Sequence, residues 1–92
     1  MIKSFRHKGL KDFFETGSKR GITSDIAIRI RIRLDVIDAA KTITDINLPG
    51  FRLHELKGQR ANTWSIWLSG NRRITFKFID GGAYDVELED YH

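Results

Sequence analysis

Four residues able to move protons or grip a base stand apart in this 92-residue chain: His54 near its middle, and Asp90, Tyr91 and His92 in the closing run LEDYH. Histidine and carboxylate exchange protons near neutral pH, and tyrosine stacks on bases or donates a hydrogen bond. Around them lies positive charge. From Arg52 to Lys77 six basic residues (Arg52, Lys57, Arg60, Arg72, Arg73, Lys77) meet one acid, Glu55, so that segment carries +5 of a net +4 and leaves the rest at −1. Cutting an RNA phosphodiester without a metal requires a base for the 2′-hydroxyl, cations for the phosphorane and an acid for the 5′-oxygen. His54, His92 and Asp90 supply exchangeable protons, Arg73 and Lys57 can hold phosphate, and Tyr91 or a tryptophan can stack. A basic face that only keeps a small domain in solution has the same composition, and three polar residues at the end of a chain ordinarily fray.

Composition narrows the setting. Apolar residues make up 40% and charged residues 30%, an ordinary globular balance, and the length suits one domain over residues 1–92. No cysteine is present, which removes disulfides and thiolate chemistry and leaves any zinc site to three histidines and carboxylates, so no metal and no cofactor is expected. The opening MIKSFRHKGLKDFF is broken by charge throughout and lacks the apolar stretch of a signal peptide, and no run reaches the length of a membrane span. A cytoplasmic protein without membrane attachment is expected.

The elements that must position these residues follow from periodicity. IKSF reads as a short strand, and HKGLKDFFETG as a helix with Leu10, Phe13 and Phe14 on one face and Gly17 as its stop. In TSDIAIRIRIRLDVIDAAK the isoleucines alternate as in a strand, but some 17 residues is too long for one. Ile26, Ile30, Leu34 and Ile37 instead trace one helical face behind an N-cap at Ser24 or Asp25. Ile28 and Ile32 then fall off the stripe and must pack on the first helix, the favoured expectation, or stay exposed as a partner-binding surface. After Pro49-Gly50 the period changes to two: FRLHEL, TWSIWLS, RRITFKFI and AYDVELEDY read as four strands turning at Gly58, Gly70-Asn71 and Gly81-Gly82. Trp64, Ile66 and Leu68, then Ile74, Phe76 and Phe78, then Tyr84, Val86 and Leu88 form one apolar face for the helices to cover. The fold class is α+β, two N-terminal helices packed on a small antiparallel sheet.

Such a meander gathers His54, Lys57, Arg60, Arg72 and Arg73 toward one side and delivers Asp90, Tyr91 and His92 beside them if the last strand pairs with the third. Arg73, Thr75 and Lys77 face away from the apolar side, Asp90 shares the side of Leu88, and Trp67 lies opposite Trp64 as a candidate for stacking or partner contact.

The run FRLHELKGQRANTWSIWLSGNRRITFKFIDGGAYDVELEDYH, together with MIKSFRHKGLK, resembles the HigB toxins of the RelE/ParE superfamily over the whole chain. The motifs that carry the likeness are L-H-x-L-K-G at Leu53 to Gly58, W-S-I at Trp64 to Ile66, N-x-R-I-T-F at Asn71 to Phe76 and E-D-Y-H at Glu89 to His92. The resemblance implies a RelE-like fold and a bacterial type II toxin that enters the ribosomal A site and cuts mRNA there without a metal ion. It implies partners as well: a HigA-like antitoxin that holds the toxin inactive, the ribosome with its 16S rRNA, and mRNA, with the free toxin monomeric. Carried over by position, the catalytic set is His54, Asp90, Tyr91 and His92, with Lys57 and Arg73 as phosphate-binding cations and Arg60 and Arg72 in the same basic set. RelE proteins proper depend more on lysine, arginine and tyrosine. Arg72 stands where relatives carry Trp, which adds charge and removes an aromatic surface. Two other functions fit the same fold and charge: a ParE-like inhibitor of DNA gyrase, which needs no acid or base residues, and a non-catalytic RNA- or ribosome-binding module.

Overall fold

In the computed structural model, which describes residues 1–60 and 62–90 with Gln59 through its backbone alone, the helices come first and the sheet second. Helix α1 spans Lys8–Thr16. Its first turn is capped by His7, whose Nδ1 accepts from the Leu10 amide at 3.0 Å, and Gly17 ends it in the left-handed region at φ 79°, donating to Phe13 O. Helix α2 spans Ala27–Ala39 and is entered through a 3₁₀ turn over Ser24–Ile26. Ser24 and Asp25 therefore lie inside the turn rather than capping the helix as expected, and neither flanking residue, Thr23 nor Ile26, makes a side-chain cap bond.

The 3.6-residue period wins over the alternation in this segment because it buries more. Ile26, Ile30, Leu34 and Ile37 all enter the core. The expectation that Ile28 and Ile32 pack on α1 does not hold: they remain 76% and 51% exposed, off the stripe that α2 buries. Ile28→Ser and Ile32→Ser should each change unfolding free energy by less than about 0.5 kcal/mol, checked by chemical denaturation. A larger loss would show that the stripe is covered in the folded chain.

The sheet is an antiparallel meander in the order β1-β2-β3-β4, made of β1 (His54–Glu55), β2 (Thr63–Ser69), β3 (Arg72–Ile79) and β4 (Gly82–Asp90). The first strand is far shorter than FRLHEL. Arg52 sits at φ 50°, a left-handed turn that breaks the extended chain after the buried Phe51, so only two residues pair with β2. The hairpin between β3 and β4 turns one residue earlier than expected. Asp80 and Gly81, at φ 49° and 78°, give the double positive-φ turn that matches strand twist, and Gly82 already belongs to β4.

A bulge in β4 corrects a second expectation. Thr75 pairs with Glu87 and Lys77 with Tyr84, so two steps along β3 answer three along β4, with Asp85 at φ 54°. Alternation flips there. Ala83, opposite Phe78, takes the inward position assigned to Tyr84, which moves to the outer face opposite Lys77. Ser4 fills the notch: its hydroxyl accepts from the Asp85 amide at 2.8 Å. The opening IKSF is not a full strand but touches β4 in parallel at Ile2–Ala83 and Phe5–Val86, shielding the edge of the sheet.

Leu10, Ile30, Leu34, Ile37, Ile66, Leu68, Ile74, Phe76 and Val86 form the core between helices and sheet, with Trp64 and Leu88 packed at its margin. Among the described residues, no helix is long and apolar enough to cross a membrane.

Candidate active site

The outer face of the sheet, turned away from the helices, is organised by strand register into two rows. His54 opposes Ser65, Ser65 opposes Thr75 and Thr75 opposes Glu87; one step along, Trp67 opposes Arg73 and Arg73 opposes Glu89. His54 and Arg73 thus share one face. Together with Arg52, Ser65 and Trp67 they line a cleft of about 190 Å³. Its walls bear cations, a histidine and an indole, the groups that receive a phosphate and a flat base.

His54 owes its setting to the turn that shortened β1. Its Nδ1 lies 3.1 Å from the carbonyl oxygen of Arg52, which can only accept, so in the neutral ring the proton belongs on Nδ1 and Nε2 is the acceptor. The ring is exposed at the mouth of the cleft. That tautomer suits a general base.

Trp67 is fixed from three directions. Its indole Nε1 donates to Gly70 O at 3.0 Å, and the guanidinium carbons of Arg52 and Arg29 lie 4.9 and 5.7 Å from the ring centre. A bulge after Trp67 frees carbonyl groups there, and two arginines one turn apart on α2 take them up. Arg33 Nε donates to Trp67 O at 2.7 Å, and Arg29 donates to Leu68 O at 3.2 Å. Arg33 is buried over the Phe51 ring, and burial, helped by the charge of Arg29, lowers its pKa from the ordinary arginine value. The isoleucine alternation of α2 hid these arginines as the polar half of a pattern, yet they anchor one wall of the cleft.

The other expected residues distribute unevenly. Arg73 is half-buried in the cleft and reaches toward Glu89, its Nη2 3.9 Å from a carboxylate oxygen. Arg60, in the 3₁₀ turn Gly58–Arg60, forms a two-pronged ion pair with Glu89 across the face. Lys57 is exposed just beyond β1. Arg72 also lines the His54 cleft, and its side chain donates to Thr23 Oγ1 at 3.1 Å, tying β3 to the loop before α2. Asp90 pairs with Arg72 at the exposed end of β4, in the rank that faces the helices, and borders a small cleft with Thr23 and Arg72 and a second, larger one with Glu87 and Glu89. Tyr91 and His92 lie outside the described residues. Among those described, no three histidine or acidic side chains gather as a metal site would require.

Glu89 was not singled out in the sequence, although it stands in the E-D-Y-H motif. It accepts from Arg60 through both oxygens and from the buried Thr75 hydroxyl. Chiefly through the Arg60 hydrogen bonds, its carboxyl is held below the usual range, and those bonds raise Arg60 in turn. Acidic residues on a basic sheet read as solubilising charge, and only the register shows Glu89 facing Arg73.

Known proteins place this arrangement. Residues 3–92 match the family model described as the RelE-like toxin of the type II toxin-antitoxin system HigB. The chain is 50% identical over 92 residues to Endoribonuclease HigB of Proteus vulgaris, covering all of both chains. It is 30% identical over 93 residues to Toxin HigB-1 of Vibrio cholerae, covering 99% of this chain and 98% of that one. The helical pair on a four-stranded antiparallel sheet is the architecture expected of such toxins, and the chain belongs to the HigB toxins of the RelE-like type II toxin-antitoxin systems, which implies an antitoxin partner.

Proposed function

We propose that this toxin is an endoribonuclease that cuts mRNA in the ribosomal A site without a metal ion and is silenced by a HigA-like antitoxin. The observation that carries the reading is the cleft itself, where His54, with Nε2 as its acceptor, shares one face with Arg73 and Trp67. A base at His54 removes the proton of a 2′-hydroxyl, the 2′-oxygen attacks the adjacent phosphorus, and the bond from phosphorus to the 5′-oxygen breaks. Arg73, with Lys57 and Arg60 at the margin, stabilises the charge that builds on the phosphorane oxygens. The leaving 5′-oxygen takes a proton from an acid in the closing sequence run Asp90, Tyr91, His92; Asp90 is suited to orient a histidine. The name of the Proteus vulgaris relative, half of whose residues are shared, supports the nuclease reading. The domain acts as a unit over residues 1–92 in the bacterial cytoplasm.

The test is induction of the toxin in bacteria followed by mapping of mRNA 5′ ends. New ends should appear within translated codons and vanish when translation is blocked before induction. Cuts in untranslated RNA alone would remove the ribosome from the reading. Arrested supercoiling without any cuts would replace the nuclease with a gyrase inhibitor.

A further inference from the structure

Although the segment from Arg52 to Lys77 is strongly basic, folding lays an acidic strand beside it. Asp85, Glu87, Glu89 and Asp90 of β4 border the outer cleft, of about 670 Å³, together with Arg6, Arg60 and Lys77. Within that cleft one carboxylate occupies a position built for an oxyanion. Glu89 Oε1 accepts from Arg60 at 3.0 Å and lies 3.9 Å from Arg73, while Oε2 accepts from the other arm of Arg60 and from Thr75 Oγ1 at 2.5 Å. Thr75 is 2% exposed, so its hydroxyl has been taken out of water to face this spot. Two guanidinium groups and a hydroxyl directed at two oxygens match the non-bridging oxygens of a phosphodiester as well as they match a carboxylate.

We propose that Arg60, Arg73 and Thr75 form a seat for a phosphate of single-stranded RNA, and that Glu89 fills it in the free protein as an internal stand-in. The site rests on the reading of RNA as the partner. Arg73 lines the His54 cleft and reaches to 3.9 Å from Glu89, which borders the outer cleft, so Glu89 and the substrate compete for it. RNA entering the His54 cleft displaces the carboxylate, takes the Thr75 hydroxyl and gains the arginines together. In the free toxin Glu89 keeps those cations folded onto the sheet, which lowers affinity for RNA that is not otherwise held in place. A transcript presented by a larger partner overcomes that competition more readily than a free strand does.

Binding of a 2′-deoxy single-stranded oligonucleotide, which cannot be cleaved, to the full chain tests this. Glu89→Gln should bind about two- to fivefold tighter at low salt, the range of a competing partly exposed ion pair. Its log-log salt slope should steepen by about 0.7 for each arginine freed. The gain should disappear when Arg60→Ala is added. Equal or weaker binding by Glu89→Gln would overturn the seat. Should that variant fail to fold, the unmodified toxin still decides: the Glu89 carboxyl carbon resonance should shift on addition of the oligonucleotide, and an unmoved resonance would overturn the proposal equally. These readouts involve no cleavage, so loss of the nuclease reading would appear in the 5′-end mapping alone, and loss of the seat in a toxin that still cuts.

Discussion

Replacement of His54 by alanine is expected to slow mRNA cleavage by about 10²- to 10⁴-fold, the range that a positioned acid or base contributes. The effect should fall almost wholly on chemistry. His54 is exposed in a two-residue strand, and among the described residues its side chain hydrogen-bonds to the Arg52 carbonyl alone, so its removal should cost no more than about 1 kcal/mol of stability. The measurement is the rate at which new 5′ ends accumulate after induction of equal amounts of native and variant toxin, with thermal unfolding of both recorded alongside. His54→Gln provides a control on shape, because it keeps a hydrogen-bonding side chain of similar reach but cannot take up a proton at neutral pH; it should be as inactive as alanine. Cleavage within about threefold of native in either variant would move the base elsewhere, and the end of β4 would be the next place to look.

The sequence carried the long elements well and the local departures poorly. Helix α2 was legible because Ile26, Ile30, Leu34 and Ile37 keep a 3.6-residue period that no strand reproduces. The three-stranded meander was legible from alternation and its glycine turns. Three of the departures show why. The strand FRLHEL collapses to His54–Glu55 because Arg52 adopts a left-handed turn, a conformation that arginine rarely takes and no pattern announces. Tyr84 changes face because a bulge at Asp85 inserts one residue, and alternation cannot register an insertion. Ile28 and Ile32 stay in water because their burial depends on what packs beside α2, a tertiary matter.

The site divides in the same way. His54 and Arg73 were found through their residue types and motifs, and the register brings them to one cleft. Arg72 lines that cleft too, and what the sequence did not disclose is its second contact, the bond to Thr23 before α2, made by a strand residue whose neighbour Arg73 points to the other face. Glu89 was passed over. Its importance lies in what stands opposite, Arg73 across the ladder and Arg60 across the face, and a single sequence does not disclose register.

The largest loss of stability is expected from Phe76→Ala. Phe76 is 1% exposed at the middle of β3, opposite Trp64 on β2, with Phe78 set edge-on at a ring-centre distance of 6.4 Å. It belongs to the core against which α1 and α2 pack, so truncation removes a ring from the layer between sheet and helices rather than from a margin able to collapse. Phenylalanine-to-alanine changes at such sites cost about 3–5 kcal/mol. Against the roughly 5–15 kcal/mol that holds a small domain together, that is a large share. At about 4–8 °C per kcal/mol for a domain of this size, the unfolding midpoint should fall by at least 12 °C or so. The same strand places Thr75 and Lys77 on the outer face, so the variant leaves every side chain of the cleft in place, and any lost cleavage at low temperature should track the fraction unfolded. A fall of less than about 5 °C would mean that the core repacks around the missing ring, and that the helices press on the sheet less tightly than the burial of Phe76 requires.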